Sequence, residues 1–345
     1  MVDKVILSLK IDIMTGPNYC TLFNFFYLSR GLALYESLCN VHSEFCLYIF
    51  AFDDQTKDYL KALKLDQAVI IGLDEFEDKQ LLEVKPTRSA TEYCWTCTPS
   101  VIKYAIERYN LPSCTYLDAD MYFYSGPQHL FNDLDLFPVG ITPHNYSKAY
   151  DLSDDSGKYC VQFVYFKNSP GGLEPLNWWR NECLKWCYAR VEDGKSGDQK
   201  YLDSFPVLFK GIHDILHPGA GLAPWNILKF SYSVEEGQIM VIDKDSRLPA
   251  IFYHYQNLKI DVRKKIIHLG KWYDFHDDVI EIFYKPYIKR LIHYENRIRN
   301  SEYSMDDFKI VKSSWIELFF FFSVQRIFGR HRIFRKIYNR VKELF

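Results

Sequence analysis

The sequence lacks several features that would place it in a special class of protein. No apolar run reaches the roughly 18 residues of a membrane-spanning helix, so no spanning helix is predicted. The N-terminus has no positive segment followed by a long apolar one, so we expect no signal peptide and take the cytoplasm as the default compartment. The formal net charge of -2 argues against a general nucleic-acid binder. No internal repeat and no low-complexity linker is visible, so no repeat array is predicted.

The composition is that of an ordinary globular protein except in its aromatic residues. The chain has 345 residues, of which 48% are hydrophobic and 25% are charged. A chain of this length can bury a large core in one α/β domain with appendages, or in two domains. Aromatic residues make up 17%, a surplus that suits stacking on sugars or bases but belongs mostly to the core.

Cysteine is present in an odd number, nine, in a chain too large to need disulfide staples. Cys94-x2-Cys97 and Cys183-x3-Cys187 could form two halves of a zinc site. Cys183 and Cys187, however, lie one helical turn apart beside three tryptophans, where cysteine behaves as a small hydrophobic residue. We therefore expect reduced, structural cysteines.

Strand-like and helix-like segments alternate along the chain. Strands are predicted over residues 2–9, 19–23, 44–52 and 67–73, and helices over residues 27–39 and 55–64. This alternation predicts parallel βαβ units. Residues 85–97 resemble a loop, and the next helix is predicted to start at Thr98 with Pro99 at its first helical position.

Two carboxylates follow the next predicted strand. Asp118 and Asp120 are separated by Ala119, and residues i and i+2 of an extended chain project to the same face. Two like charges on one buried face need a cation, and Mg²⁺ or Mn²⁺ suits carboxylate oxygens. A solvated acidic turn is the alternative. The end of a strand in a βαβ array is where open α/β sheets bind ligands, which favours the metal site.

Four segments, taken together and in order, resemble GT-A nucleotide-sugar glycosyltransferases. They are similar to the retaining family 8 group, which includes glycogenin and bacterial lipooligosaccharide galactosyltransferases. The segments are Cys20 to Leu34, Tyr116 to Asp120, Gly197 to Leu202 and Pro249 to Tyr255. The resemblance implies an α/β fold of GT-A type, a Rossmann-like single domain with a mixed, mostly parallel central sheet flanked by helices. We expect this catalytic domain over residues 1–270 and a helical C-terminal extension over residues 271–345.

The resemblance also implies a metal site and a binding site for the donor. Asp118 and Asp120 match the family motif that holds Mn²⁺ or Mg²⁺ against the donor diphosphate, with Ala119 among the donor contacts. The third metal ligand in such folds is a histidine. His254 matches the family's terminal histidine–aromatic pair, and His217 is the alternate because its spacing to a tryptophan also fits.

Further family positions fall on donor-binding and catalytic residues. Tyr27 stands where a family tyrosine stacks on uracil, although packing of the first helix explains it equally well. Asn24 stands where an acidic residue contacts the base. The pair Asp198 and Gln199 matches the Asp-Gln pair beside the anomeric carbon, although Asp198 could also cap the next helix.

Three basic residues are candidates for the donor phosphates. Arg88 and Lys103 compete for one position, and Lys259 follows the terminal histidine as a diphosphate-contacting lysine does in the family. One departure stands out, because Cys160-Val-Gln162 replaces the family's Asn-x-Gly.

The last part of the chain lies outside the resemblance. Basic residues and apolar residues alternate between Arg326 and Lys342 at spacings that suit an amphipathic helix, after an apolar segment from Trp315 to Phe322. Such a helix can lie on an anionic membrane, which would bring an enzyme to a lipid-linked acceptor on the inner face. Packing of this segment on the catalytic domain or on a second subunit is the alternative.

These expectations lead to one main hypothesis and two alternatives. The main hypothesis is a metal-dependent hexosyltransferase that uses a nucleoside diphosphate sugar, with uridine as the first choice of base, and a glycan or lipid-linked acceptor. Retention of anomeric configuration comes from the resemblance alone. A phosphotransferase of the haloacid dehalogenase type also uses Asp-x-Asp after a strand, and a catalytically silent glycan- or partner-binding module is the second alternative.

Overall fold

Alternating strands and helices build the fold. The computed structural model describes residues 16–261, 266–270 and 273–303. Strands β1 to β14 are Asn18–Phe23, Cys46–Ala51, Ala68–Gly72, Ser113–Leu117, Met121–Phe123, Val139–Pro143, Tyr159–Lys167, Ile212–Asp214, Ser231–Glu235, Gln238–Asp243, Ser246–Pro249, Phe252–His254, Lys259–Asp261 and Ile266–His268. Helices α1 to α11 are Leu28–Val41, Asp54–Leu63, Leu73–Phe76, Lys79–Val84, Ala90–Tyr109, Gln128–Leu134, Ser153–Ser156, Pro170–Lys185, Phe205–Leu208, Asp277–Val279 and Lys285–Arg299.

Shorter helical turns complete the described elements. They are the 3₁₀ turns Phe25–Tyr27, Lys85–Thr87, Lys148–Tyr150, Gln199–Ser204 and Ile227–Lys229, and the π-helical turn Ile280–Tyr284. The strand predicted over residues 2–9 and the basic segment from Arg326 to Lys342 lie outside the described residues. Among the helices that the structure describes, none is both long enough and apolar enough to cross a bilayer.

A seven-stranded mixed sheet forms the centre of the fold, in the order β3-β2-β1-β4-β7-β6-β8. β7 runs antiparallel to both of its neighbours, and the other pairs in the sheet are parallel. All six residues of β2 and eight of the nine in β7 are buried, because helices cover both faces of the sheet. The predicted fold class, a mixed and mostly parallel sheet flanked by helices, is confirmed.

Two smaller sheets extend this core. β9, β10 and β11 form an antiparallel meander that the sequence patterns did not predict, and β5 pairs with β12 in antiparallel fashion. Beside the second pair, Tyr253, Tyr255, Tyr284 and Tyr287 pack in one cluster, in which the rings of Tyr255 and Tyr287 stack at 3.8 Å between centroids.

Residues 277–303 pack on the same unit as the central sheet. Glu36 in α1 accepts a 2.8 Å hydrogen bond from the hydroxyl of Tyr294 and forms a 2.8 Å ion pair with Arg290, both in α11. The hydroxyl of Ser29 donates to Glu295 at 2.6 Å. The C-terminal part of the described chain is therefore helical, as expected.

The predicted start of the long helix is wrong. α5 begins at Ala90, and its N-cap residue Ser89 forms a capping box with Glu92, so residues 90–97 are helical and not a loop. Pro99 consequently lies inside the helix and not in its first turn. The reciprocal hydrogen bonds of Ser89 and Glu92 satisfy two backbone donors at the helix start, a stronger signal than the position of a proline.

Candidate metal and donor-binding site

The turn that carries Asp118 and Asp120 joins β4 to β5. The N–H of Asp118 donates to the carbonyl of Gln162 in β7 at 3.1 Å, and the N–H of Tyr255 donates to the carbonyl of Asp120 at 2.9 Å. Since β5 pairs with β12 and places Met121 opposite His254, backbone hydrogen bonds bring the histidine to the acidic turn. The histidine meets the two aspartates although more than a hundred residues separate it from them in the sequence.

His254 lies between the two carboxylates. Its Nε2 is 3.1 Å from Oδ1 of Asp120 and 3.6 Å from Oδ2 of Asp118. His254 and Asp120 are buried, and Asp118 is partly buried. Within the described residues, Nδ1 of His254 makes no hydrogen bond.

Burial and charge act in opposite directions on these three groups. Burial raises the pKa of Asp118 to about 6, and the charge of Asp120 adds to this rise while His254 opposes it. Burial also acts to raise the pKa of Asp120, but attraction to His254 and its hydrogen bond outweigh burial and lower that pKa. Burial acts to lower the pKa of His254, whereas the charge of Asp120 and their hydrogen bond raise it well above its ordinary value. A protonated His254 thus supplies the positive charge that the buried carboxylates require.

These groups fit a divalent cation. Two carboxylates and an imidazole are common ligands of Mn²⁺, and an ion bound there would replace the proton of His254 as the positive charge. The structure thus brings together the two predicted aspartates and the favoured histidine. His217 lies elsewhere, half-buried, and its Nδ1 accepts the N–H of Gly219 at 3.1 Å.

Cys160 joins this cluster and was not among the predicted ligands. Single ligand atoms of Asp118, Cys160 and His254 all lie within 4.8 Å of one another. Cys160 lies in β7, the strand next to β4, and its side chain is 2% exposed. The sequence carried a signal for it, the replacement of the family's Asn-x-Gly, but that departure did not by itself indicate a metal ligand.

Aromatic side chains hold His254 from one side. The ring of Trp225 meets the ring of His254 edge-on at 5.4 Å between centroids. The indole N–H of Trp225 donates to the carbonyl of His144 at 2.7 Å, and the His144 ring stacks on Tyr146 at 4.6 Å. Burial lowers the pKa of His144 to about 3, so His144 stays neutral beside the charged histidine.

The pair Asp198 and Gln199 lies after α8. Asp198 is buried, its carbonyl accepts the indole N–H of Trp179 at 2.9 Å, and its Oδ2 has no hydrogen-bond partner among the described residues. Its side chain makes no capping hydrogen bond to the following helical turn, which does not support a capping role. Burial and the charge of Asp118 raise the pKa of Asp198 to about 7. Gln199 donates from Nε2 to the carbonyl of Ser156 at 3.0 Å, which fixes the orientation of its amide.

A cavity of about 250 Å³ opens at the carboxyl ends of β1, β2 and β3. Asn24, Phe52 and Leu73, which follow these strands, line it together with Arg88 and Tyr93. The guanidinium of Arg88 lies 4.0 Å from the ring centre of Tyr188 and donates to the carbonyl of Leu184 at 3.3 Å. The structure thus places the predicted residues Asn24 and Arg88 at one cavity.

The remaining predicted donor-binding residues occupy different environments. Tyr27 is 45% exposed, and the guanidinium of Arg30 lies 4.8 Å from its ring centre. Arg30 also helps to lower the pKa of Asp120, so its charge acts on the acidic turn, a role that the sequence analysis missed. Ala119 is buried between the two aspartates, and Lys259 is exposed at the start of β13. Lys103 forms an ion pair with Glu107 one turn further along α5.

Two proteins of Bacillus subtilis (strain 168) are similar to the chain in sequence. The uncharacterized protein YfnF is 31% identical over 250 residues, which cover 70% of this chain and 82% of YfnF. The uncharacterized protein YfnD is 26% identical over 293 residues, which cover 84% of this chain and 93% of YfnD. No protein-family model matches the chain.

Solved structures of glycosyltransferases are similar to the chain in fold. The galactosyltransferase LgtC in complex with donor and acceptor sugar analogs has a TM-score of 0.48 at 12% identity, over 79% of this chain and 95% of LgtC. Mouse xyloside xylosyltransferase 1 has a TM-score of 0.44 at 13% identity, over 70% of this chain and 98% of that protein. By its identity to YfnF over most of both chains, the protein belongs to the same family as YfnF.

Proposed function

We propose that the protein is a metal-dependent glycosyltransferase that moves a hexose from a nucleoside diphosphate sugar to a glycan or a lipid-linked acceptor. The observation that carries the proposal is the buried cluster of Asp118, Asp120 and His254 at the end of β4. A cavity of about 250 Å³, lined by the predicted donor-binding residues Asn24 and Arg88, opens at the ends of the neighbouring strands. A uridine diphosphate sugar is the first donor to test.

Asp118, Asp120 and His254 would hold Mn²⁺ or Mg²⁺. When bound, the ion supplies Lewis acidity that offsets the charge of the departing nucleoside diphosphate. The protein's own part is to fix the carboxylates through the backbone hydrogen bonds of Asp118 and Tyr255 and to exclude water around His254.

Asn24, Tyr27 and Arg88 would bind the donor. The amide of Asn24 can read the edge of the base, and the exposed ring of Tyr27 offers a face for stacking. Arg88 lines the same cavity, and its guanidinium, a fork of donors suited to phosphate oxygens, would have to turn from Tyr188 and Leu184 to reach the donor. Lys259 and Lys103 remain proposed contacts of the diphosphate, and Ala119 a contact through its backbone.

Asp198 and Gln199 would face the anomeric carbon of the donor. Positive charge develops there as the glycosidic bond breaks, and a carboxylate or amide oxygen close to it lowers the barrier. Asp198 suits this role because its Oδ2 is buried without a partner in the described chain. Retention of configuration is part of the proposal, and it rests on the family resemblance.

A lipid-linked acceptor would require contact with a membrane surface. We propose that the basic segment from Arg326 to Lys342 provides it on the cytoplasmic face, on the strength of its sequence alone. Sedimentation of the full chain with vesicles of anionic lipid, compared with neutral vesicles, tests this. Equal binding to both kinds of vesicle, or to neither, would contradict it.

A thermal-shift screen of uridine and guanosine diphosphate sugars, with and without Mn²⁺, tests the proposed activity. A ligand that binds only the folded state raises the apparent melting temperature, so we expect a shift that needs both sugar nucleotide and ion. Asp118→Asn and Asp120→Asn should abolish this shift and the hydrolysis of the donor. Asp133→Asn, at an exposed position, is the control and should change neither.

Three outcomes would overturn parts of the proposal. Full activity in a chelator would remove the metal assignment. Hydrolysis of simple phosphate monoesters, with no use of sugar nucleotides, would indicate a phosphotransferase. Nucleotide binding without turnover across a broad panel of donors and acceptors would indicate a silent binding module.

A further inference from the structure

We propose that Cys160 binds the metal ion directly through its thiolate, so that the site selects softer divalent cations over Mg²⁺. This inference rests on the proposed metal site of Asp118, Asp120 and His254. Cysteine is a soft ligand that suits Co²⁺, Zn²⁺ and Cd²⁺, whereas Mg²⁺ prefers oxygen ligands throughout.

The geometry of the cluster supports a shared ion. One ligand atom each from Asp118, Cys160 and His254 lies within 4.8 Å of the other two. Ligands held about 2.0–2.3 Å from one ion are separated by no more than about twice that length, so small side-chain movements bring all three onto an ion. Asp120, which lies 3.1 Å from His254, would be a fourth protein ligand.

The sheet is irregular at Cys160, where β7 passes the acidic turn. The register between β6 and β7 shifts after Ile141, so that Thr142 lies opposite Cys160. The hydroxyl of Thr142 donates to the carbonyl of Phe163 at 2.8 Å across this irregularity. Bulges of this kind often re-aim side chains beside active sites. The pairing of β7 with β4, which continues into the hydrogen bond from Asp118 to Gln162, brings Cys160 to the end of β4.

Buried polar atoms without partners surround the same position. Gln162, whose carbonyl accepts the N–H of Asp118, is fully buried, and neither Nε2 nor Oε1 has a hydrogen-bond partner among the described residues. Nδ1 of His254 also has no hydrogen-bond partner among the described residues. A purely structural cysteine does not require unpaired polar neighbours, whereas a site that binds an ion and its ligands does.

The proton balance of this step is simple. Cys160 is a free thiol, and its S–H bond breaks as the sulfur–metal bond forms. The thiol proton and the proton held by His254 leave to solvent, and no oxidant or reductant is needed. The charges of the bound ion replace both protons.

Substitution of Co²⁺ into the full chain tests the inference by spectroscopy. A cobalt–thiolate bond gives a charge-transfer band in the near ultraviolet that oxygen and nitrogen ligands do not give. We expect this band in the native chain, its loss in Cys160→Ser and Cys160→Ala, and its persistence in Cys39→Ser, where an exposed thiol is removed. The preference for Co²⁺ over Mg²⁺, measured by competition, should fall by about tenfold or more in Cys160→Ser, because a hard oxygen replaces the sulfur.

The outcomes separate this inference from the proposed activity. The role of Cys160 would be overturned if the native chain bound Co²⁺ without the charge-transfer band. It would also be overturned if Cys160→Ser kept the band or the cation preference of the native chain. Either result would leave the glycosyltransferase proposal in place. Failure of the native chain to bind Co²⁺, Mn²⁺ or Mg²⁺ at all would overturn both the role of Cys160 and the proposed metal dependence. The spectrum of the native chain needs no variant, so a folding defect in Cys160→Ser does not prevent a result.

Discussion

Several buried side chains around the acidic turn carry polar atoms without hydrogen-bond partners, which lowers the stability of the folded protein. Both amide atoms of Gln162 and Oδ2 of Asp198 are buried without a partner in the described part of the chain. A buried polar group left without a hydrogen bond costs about 1–3 kcal/mol. We expect a bound ligand to supply hydrogen bonds to these atoms.

Gln162→Met should stabilise the free protein and weaken its binding of the donor. Methionine fills a similar volume without burying an amide, so the free energy of unfolding should rise by about 1–3 kcal/mol. Gln67→Met is the matched control, because Oε1 of Gln67 accepts the N–H of Phe45 at 3.0 Å, and its loss should lower stability. Urea unfolding of both variants measures these changes in stability. A fall in stability for Gln162→Met as large as that for Gln67→Met would show that Gln162 is paired.

The ionisation of Asp198 should make the metal-free protein less stable as the pH rises. The pKa of Asp198 is raised to about 7 in the folded protein, against 3.8 for an ordinary aspartate. Between these values the folded state holds a proton that the unfolded chain has released, so the free energy of unfolding falls with rising pH. Each pH unit of this window contributes at most about 1.4 kcal/mol.

Asp198→Asn should remove this pH dependence and lower the rate of sugar transfer. Melting temperatures of the native chain and the variant, measured in a chelator at several pH values, should diverge most above the window. Asp133→Asn, at an exposed position, should show the same pH dependence of the melting temperature as the native chain. Parallel curves for the native chain and Asp198→Asn would contradict the assignment.

At the scale of residues, the sequence predicted those parts of the site that follow from a local pattern. Asp118 and Asp120 are two residues apart at the end of a strand, so their shared face could be predicted. His254 could be placed with them only through the resemblance, and the structure brings it to them. Cys160 and Arg30 were missed as residues near the acidic turn. Their positions there depend on an irregularity in the sheet and on the packing of a helix, and neither of these leaves a periodic pattern in the sequence.

At the scale of elements, the segment of Gly221 and Leu222, which lies beside β12, holds the strand of His254 in place. Gly221 has a φ of +89°, and a Cβ there would come within 2.9 Å of Cγ2 of Thr142 and 3.1 Å of Nε2 of Gln162. The next residue, Leu222, accepts the N–H of His254 at 2.8 Å. A displacement of this segment would therefore move the histidine.

Gly221→Ala should lower both stability and affinity for Mn²⁺. Gly237→Ala is the control, because its φ is +82° and its Cβ would meet nothing within 4 Å. Both variants carry the strain of a positive φ, about 1–2 kcal/mol, and the additional loss in Gly221→Ala measures the close contacts. Thermal unfolding and Mn²⁺ titration distinguish the two. Equal affinity for Mn²⁺ in both variants would separate this segment from the site.

Helices and strands were predictable where one periodicity dominated. The apolar runs of β2 and β7 are buried on both faces, and the capping aspartate before α2 marked its start. The start of α5 was missed because its first turns are polar with aromatic insertions and only the capping box identifies them. The meander of β9 to β11 was missed because its exposed residues break the apolar pattern of a strand.

At the scale of the whole molecule, the helices after residue 276 belong to the core of the described unit. Tyr284, Tyr287 and Leu291 are buried in the cluster that contains Tyr253 and Tyr255, the neighbours of His254. The boundary predicted at residue 270 separates Tyr284, Tyr287 and Leu291 from Tyr253 and Tyr255. It was predicted from the end of the sequence resemblance, and the buried cluster continues beyond it.

A chain ending at residue 303 should therefore keep a cooperative thermal transition, whereas a chain ending at residue 270 should lose it. The longer chain retains the contacts of α11 with α1, and the shorter one exposes the tyrosine cluster. Calorimetry of both chains, with binding of a hydrophobic dye as a second measurement, tests the boundary. A cooperative transition in the shorter chain would support the boundary at residue 270.

The pairing of β5 with β12 has a consequence for the nascent protein. The ribosome completes the acidic turn long before it adds the strand that ends in His254. Until that strand leaves the exit tunnel, two carboxylates and a thiol share a forming core without the histidine that offsets their charge. The proposed ion site is therefore complete only once β12 has been made, and a chain that stops before β12 should bind Mn²⁺ more weakly than the full chain.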